Sequence, residues 1–266
     1  MPDSSLTPAE AQRESRHWRD AVAAGQPAEA IKRYLEEDAP DEATEESLRA
    51  LADLQRELRG KRFGRARQAL ARVEQADLAE VGVDVARLHE ELELLEKSAQ
   101  ELDRFEPETA LELLDGLRQE LLQAEAETQR GTAYVFKAEN ERARAHFDRA
   151  LSLDGRHYRA ITNRGNLALE EGRLDEAIAS YEEALKVNAE FANALHNLGV
   201  AYRRKGEMGK SVEKIKAAQR LGRQRDMEEA RAKLSSSRSS RSWLRWALWG
   251  AAAAGIYLVL RAQGLV

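Results

Sequence analysis

Apolar residues recur along this chain at intervals of three and four, the spacing that places them on one face of an α-helix. Phe63, Ala66, Leu70 and Val73 follow it, as do Val85, Leu88, Leu92, Leu95, Ala99 and Leu102. No convincing strand-type alternation interrupts the pattern. Thr7-Pro8-Ala9-Glu10 combines a capping Thr, a Pro at the first helical position and a Glu three residues after the cap. These signals predict a helix to about Ala24, stopped at Gly25-Gln26-Pro27. A second helix carries Ala30 and Tyr34 on one face and ends before Asp38-Ala39-Pro40. A third covers Glu42 to Arg59 and breaks near Gly60, and the stripe beginning at Phe63 is the fourth. Asp77 to Asp84 reads as a connector before the long stripe from Val85. Pro107 then opens a helix with Ala110 and Leu114 on its apolar face.

From Ala124 to about Arg225 the pattern becomes a repeat. Gly131, Gly165 and Gly199 stand 34 residues apart, and so do Tyr134, Ala168 and Tyr202. Ala143, Ala177 and Ser211 keep the same register, as do Phe147, Tyr181 and Ile215, and Ala150, Ala184 and Ala218. Small and large apolar residues at fixed offsets over three periods signal stacked helix hairpins. Ahead of the array, Ala30, Ala66 and Ala110 mark three further candidate second helices, with separations of 36, 44, 33, 34 and 34 along the whole series.

The repeat resembles the tetratricopeptide repeat (TPR) family. Its clearest copy reads Ile161-x-x-Arg164-Gly165-x-x-Ala168, Gly172, Ala177, Tyr181, Ala184; the next reads Leu195-x-x-Leu198-Gly199-x-x-Tyr202, Gly206, Ser211, Ile215, Ala218. The first copy departs at Glu127, Arg130 and Ala138, and none carries the closing Pro. The resemblance implies three repeats (124–157, 158–191, 192–225) in an all-α superhelix of stacked hairpins, with a groove lined mainly by the first helix of each pair. Residues 1–123 are then either degenerate hairpins of the same stack or a separate helical bundle. Carried onto this sequence, the groove positions are Thr162, Asn163, Asn166, Leu169 and Glu170, followed by Asn193, His196, Asn197, Val200, Arg203 and Arg204. Some family members clamp a terminal carboxylate with Lys and Asn. Asn166 and Asn197 match two clamp positions, but Thr162 stands where the first Lys would be, which argues against chaperone-tail binding.

Composition narrows the function. The absence of cysteine excludes disulfides, thiolate metal sites and a cysteine nucleophile. The five histidines are scattered without metal-ligand pairing, and no glycine-rich phosphate loop is present. Neither a catalytic centre nor a cofactor is expected, and the numerous carboxylates read as a solvated face. The net charge of −5 is uneven. Residues 1–123 hold 17 Lys/Arg against 29 Asp/Glu, whereas 124–225 hold 19 against 15 and 226–266 hold 6 against 3. The predominance of Arg over Lys and the abundant Ala point to a GC-rich, bacterial genome.

The last stretch bears on location. A short helix from Asp226 to Leu234 is expected to cap the array, followed by a basic Ser/Arg linker to Ser242. From Trp246 to Leu260 no charge occurs, a run of about 22 Å as a helix. With Trp243 and Leu244 added, and with Arg245 and Arg261 reaching for the interfaces, it is long enough to span a bilayer. Trp243, Trp246 and Trp249 fit an interfacial aromatic belt, and Leu258 and Leu260 belong to the apolar run. The expectation is a single C-terminal transmembrane anchor over 243–261, without a signal peptide. Between Arg203 and Arg245 there are 14 Lys/Arg against 5 Asp/Glu, which places the array on the cytoplasmic side of a bacterial inner membrane. That basic stretch suits anionic lipid headgroups; nucleic acid is disfavoured because the aromatics sit in the anchor. Ala247, Ala251 and Gly255 share a face and permit anchor helices of two copies to pair. The sequence therefore reads as a non-enzymatic, membrane-tethered scaffold that binds a protein or peptide. The alternatives are a structural subunit of a membrane complex and an accessory regulator of a membrane enzyme.

Overall fold

The computed structural model describes residues 18–36, 40–73, 83–228 and 230–231, and among these every regular element is helical. The helices pair as six hairpins. They are α1 (18–23) with α2 (Pro27–Tyr34), α3 (Glu42–Arg59) with α4 (Phe63–Leu70), and α5 (Val85–Asp103) with α6 (Pro107–Leu114). Then come α7 (Glu120–Phe136) with α8 (Asn140–Leu153), α9 (Tyr158–Glu170) with α10 (Leu174–Val187), and α11 (Ala192–Arg204) with α12 (208–228). The helix expected from Thr7 begins outside the described residues. No separate helix starts at Asp226, because α12 continues through Gly222 to 228.

Each hairpin turns on one residue in the left-handed backbone region: Gly25, Lys61, Phe105, Ala138, Gly172 and Gly206, with φ between 56° and 88°. Each lies five residues before its small residue, Ala30, Ala66, Ala110, Ala143, Ala177 or Ser211, and all six of these are buried. In the second hairpin the turn residue is Lys61, and Gly60 has an ordinary φ of −96°. The second helices start where the sequence suits an N-terminus, with Pro27 and Pro107 inside the first turn of α2 and α6. Asp41 and Asp84 cap α3 and α5, each accepting a backbone N–H three residues on at 2.9 Å.

The period-34 glycines mark close approach between the two helices of a hairpin. A Cβ on Gly131 would lie 2.4 Å from the Phe147 ring, one on Gly165 2.9 Å from Tyr181, and one on Gly199 2.6 Å from Ile215. Phe147 and Tyr181 are fully buried, so each glycine is the notch that admits the large residue sixteen positions later. Mid-helix glycine costs about 1 kcal/mol. Burying an aromatic ring more than offsets that.

The front hairpins do not trail away from the array. Trp18, Val22, Leu51 and Leu54 share one core with Leu88, Leu92, Leu121, Leu122 and Ala126. Gly25 packs on the start of α7, where a Cβ would lie 2.8 Å from the Glu120 carbonyl oxygen, and Gln55 Nε2 donates to the Gly25 carbonyl at 2.9 Å. Arg59 at the end of α3 reaches 95 residues along the chain to Asp154. As a result α7 is buried on nearly every face, from Leu121 through Gln129 except Gln123.

Candidate functional site

Enclosing α7 buries two carboxylates, and one of them, Glu127, stands where the next two repeats place Ile161 and Leu195. Glu125 is 2% exposed, and its carboxylate accepts from Arg159 Nη1 at 2.8 and 2.9 Å and from Gln129 Nε2 at 3.0 Å, with His157 Nε2 also at 3.0 Å. Burial pushes its pKa up, but the Arg159 charge and the His157 hydrogen bond outweigh that and hold it at about 2. Glu127 is buried against Arg130 at 2.8 Å and His146 at 2.6 Å. Burial again opposes its ionisation, and the His146 bond and Arg130 charge bring its pKa below the usual range. Arg130 also donates to the Leu114 carbonyl at 2.7 Å, tying the third hairpin to the fourth. Glu127 and Arg130 occupy the positions of Ile161 and Arg164 one period later, so an ion pair takes over part of the packing there. Glu91 was equally misleading in the sequence. It is 3% exposed and accepts the backbone N–H groups of Arg118 and Gln119 at 2.8 and 2.7 Å, fixing the entry to α7.

Side-chain bonds also run between successive first helices at intervals near 34. Thr132 Oγ1 accepts from Asn163 Nδ2 at 3.4 Å, and Asn166 Oδ1 accepts from Asn197 Nδ2 at 2.8 Å. Arg204 Nη1 donates to the Leu169 carbonyl at 2.8 Å. The six residues form a polar ladder across α7, α9 and α11. Asn166 Oδ1 also accepts from the Tyr181 hydroxyl at 2.8 Å, which uses both its lone pairs. Burial pushes the Tyr181 pKa up, so the phenol stays a donor.

Of the groove positions carried over from the resemblance, Asn163, Asn166, Asn197 and Arg204 are thus brought together. Asn193, His196 and Arg203 are exposed on α11 and Glu170 on α9, while Val200 is partly buried. Leu169 contributes to the core beside Ala168 and Tyr202. Thr162 is different: it is 3% exposed, and its hydroxyl donates to the Tyr158 carbonyl at 2.8 Å. It presents nothing to a ligand. Among the described residues no group of His, Asp and Glu could hold a metal ion. Trp243, Trp246, Trp249, Leu258 and Leu260, the anchor residues named from sequence, lie outside the described residues. No described helix is long and apolar enough to cross a membrane.

Paired helices stacked hairpin on hairpin, with polar rungs between their first helices, define a helical-repeat scaffold. The hairpins over residues 128–206 match profiles of the tetratricopeptide repeat family. A family profile described as "Tetratricopeptide repeat" matches residues 128–180, and one described as "TPR repeat" matches 165–206. No curated protein matches the chain. Among solved structures it is similar to a crystal structure of MamA, with 23% identity, coverage of 65% of this chain and 95% of that one, and a TM-score of 0.42. A MamA RS-1 ArsTM double mutant gives 27% identity, 49% and 74% coverage, and a TM-score of 0.41. The second TPR of Spaghetti (RPAP3), bound to the HSP90 peptide SRMEEVD, gives 22% identity, 37% and 92% coverage, and a TM-score of 0.36. Proteins of this repeat class are interaction scaffolds and typically not enzymes.

Proposed function

We propose that the chain is a non-enzymatic scaffold, tethered to a membrane, that holds an extended segment of a partner protein against the face shared by α9 and α11. The observation that carries this reading is the state of the amide ladder. With Asn166 Oδ1 fully used and Asn197 Nδ2 bonded to it, Asn166 Nδ2 and Asn197 Oδ1 meet no described partner. A donor and an acceptor side by side match the alternating N–H and C=O groups of an extended backbone. Arg203 is exposed at the end of the same helix and favours an acidic residue on that segment. Tethering is supported by the uncharged run from Trp246 to Leu260, and the basic residues ahead of it favour a cytoplasmic array.

The direct test is affinity capture from detergent-solubilised membranes with the wild-type chain and with Asn166→Ala/Asn197→Ala/Arg203→Ala. The variant is expected to lose a partner recovered by wild type; unchanged recovery would sink the groove assignment. Deleting 243–266 should move the array from the carbonate-washed membrane pellet to the soluble fraction. A deletion product still in the pellet would remove the anchor from the account.

A further inference from the structure

A cavity of about 470 Å³ opens where the turn of the second hairpin meets the loops that follow α8 and α10. That is the size of a small-molecule site. Four arginines line it, Arg56, Arg59 and Arg62 from one side and Arg156 from the other. Three carboxylates answer them. Asp154 takes Arg59 through two bonds of 2.6 and 2.9 Å, Glu57 takes Arg62, and Asp53 takes Arg56 at 2.7 Å. The Arg156 guanidinium forms no ion pair among the described residues, and Asp53 is shared between Arg56 and Arg72, so the wall carries excess positive charge.

Tyr158 lines the same cavity and is 7% exposed, with its ring held edge-on against Phe191 at 4.8 Å. Its hydroxyl is bonded to no described group. Gly60 leaves that hydroxyl uncovered, since a Cβ there would lie 2.9 Å from it. The hydroxyl is therefore open to the cavity, a donor available to a bound acceptor. Here it shares a wall with an unanswered guanidinium, while Ala52 and Val187 supply aliphatic surface. The planar fork of Arg156 and a single hydroxyl match the two oxygens of a carboxylate. The aliphatic wall suits an apolar body attached to it.

We propose that this cavity binds a small monocarboxylic acid with an apolar body, the carboxylate on Arg156 and the Tyr158 hydroxyl. The ligand would sit between the front hairpins and the array. The site shares no residue with the α9/α11 face, so either assignment can fail without the other.

The test is calorimetric titration of the full chain in detergent with 3-phenylpropanoate, with its amide, and with inorganic phosphate. The carboxylate should bind saturably, the amide should not, and phosphate should bind at least tenfold more weakly. Arg156→Gln and Tyr158→Phe should each weaken the carboxylate at least tenfold while the unliganded unfolding temperature stays at the wild-type value. The proposal is overturned if the amide binds as well as the acid, if phosphate binds more tightly, if the acid does not bind, or if neither substitution changes its affinity.

Discussion

Single residues in this chain are legible when their role is steric and opaque when it is electrostatic. Gly131 stood out from sequence because its equivalents recur at period 34, and the structure supplies the reason in the Phe147 ring beneath it. Gly131→Ala should cost about 1–3 kcal/mol of unfolding free energy in urea titration, since a fully buried ring cannot retreat. Ala138 shows the reverse. It holds φ 57° where the next two repeats use Gly172 and Gly206, so Ala138→Gly should stabilise the chain by about 1 kcal/mol. Glu125 gave no such signal, because a carboxylate on a charged helix reads as solvated until its partners, Arg159 and His157, are seen thirty-odd residues away. Its pKa is lower in the folded chain than the ordinary 4.5, so its contribution is complete above about pH 4.5 and is lost as pH falls toward 2. That contribution is on the order of 3 kcal/mol. Glu125→Gln should destabilise the protein by a comparable amount at pH 7, and the gap to wild type should shrink at pH 3.

At the scale of elements, the hairpins followed from small-residue spacing even where the repeat pattern is weak. Ala30, Ala66 and Ala110 are as completely buried as Ala143 and Ala177. The way the front hairpins lie on α7 did not follow. It depends on Arg59 finding Asp154 and on Gln55 finding the Gly25 carbonyl, pairings between polar residues that no periodicity announces. The Arg59–Asp154 pair is mostly shielded from solvent, with side chains 14% and 5% exposed. Asp154→Ala should therefore cost about 3 kcal/mol, because it strands a buried guanidinium. Replacing both partners, Arg59→Met with Asp154→Leu, should recover most of that loss in the same urea titration. A double variant no more stable than Asp154→Ala alone would mean that the pair does not act as a unit.

For the molecule as a whole, the hairpins leave unequal surfaces. The first helices of the front and middle hairpins are absorbed in the shared core around α7, which removes Thr128 and Gln129 from any groove. The first helices of the last two hairpins, α9 and α11, keep Asn166, Asn193, His196, Asn197 and Arg203 at or near the surface. Sequence alone named these positions together with Thr162 as one groove; burial separates Thr162 from the rest, because its short side chain turns back to the Tyr158 carbonyl. The scaffold reading therefore rests on one face, and that face can be probed without disturbing the fold. His196 is exposed on it, and Glu141 is exposed on a second helix well along the chain. The most direct measurement is photocrosslinking in intact membranes, with a photoreactive amino acid placed at His196 in one chain and at Glu141 in another. The account predicts a discrete crosslinked partner from position 196 that is absent from position 141. No adduct from 196, or the same adducts from both positions, would contradict it.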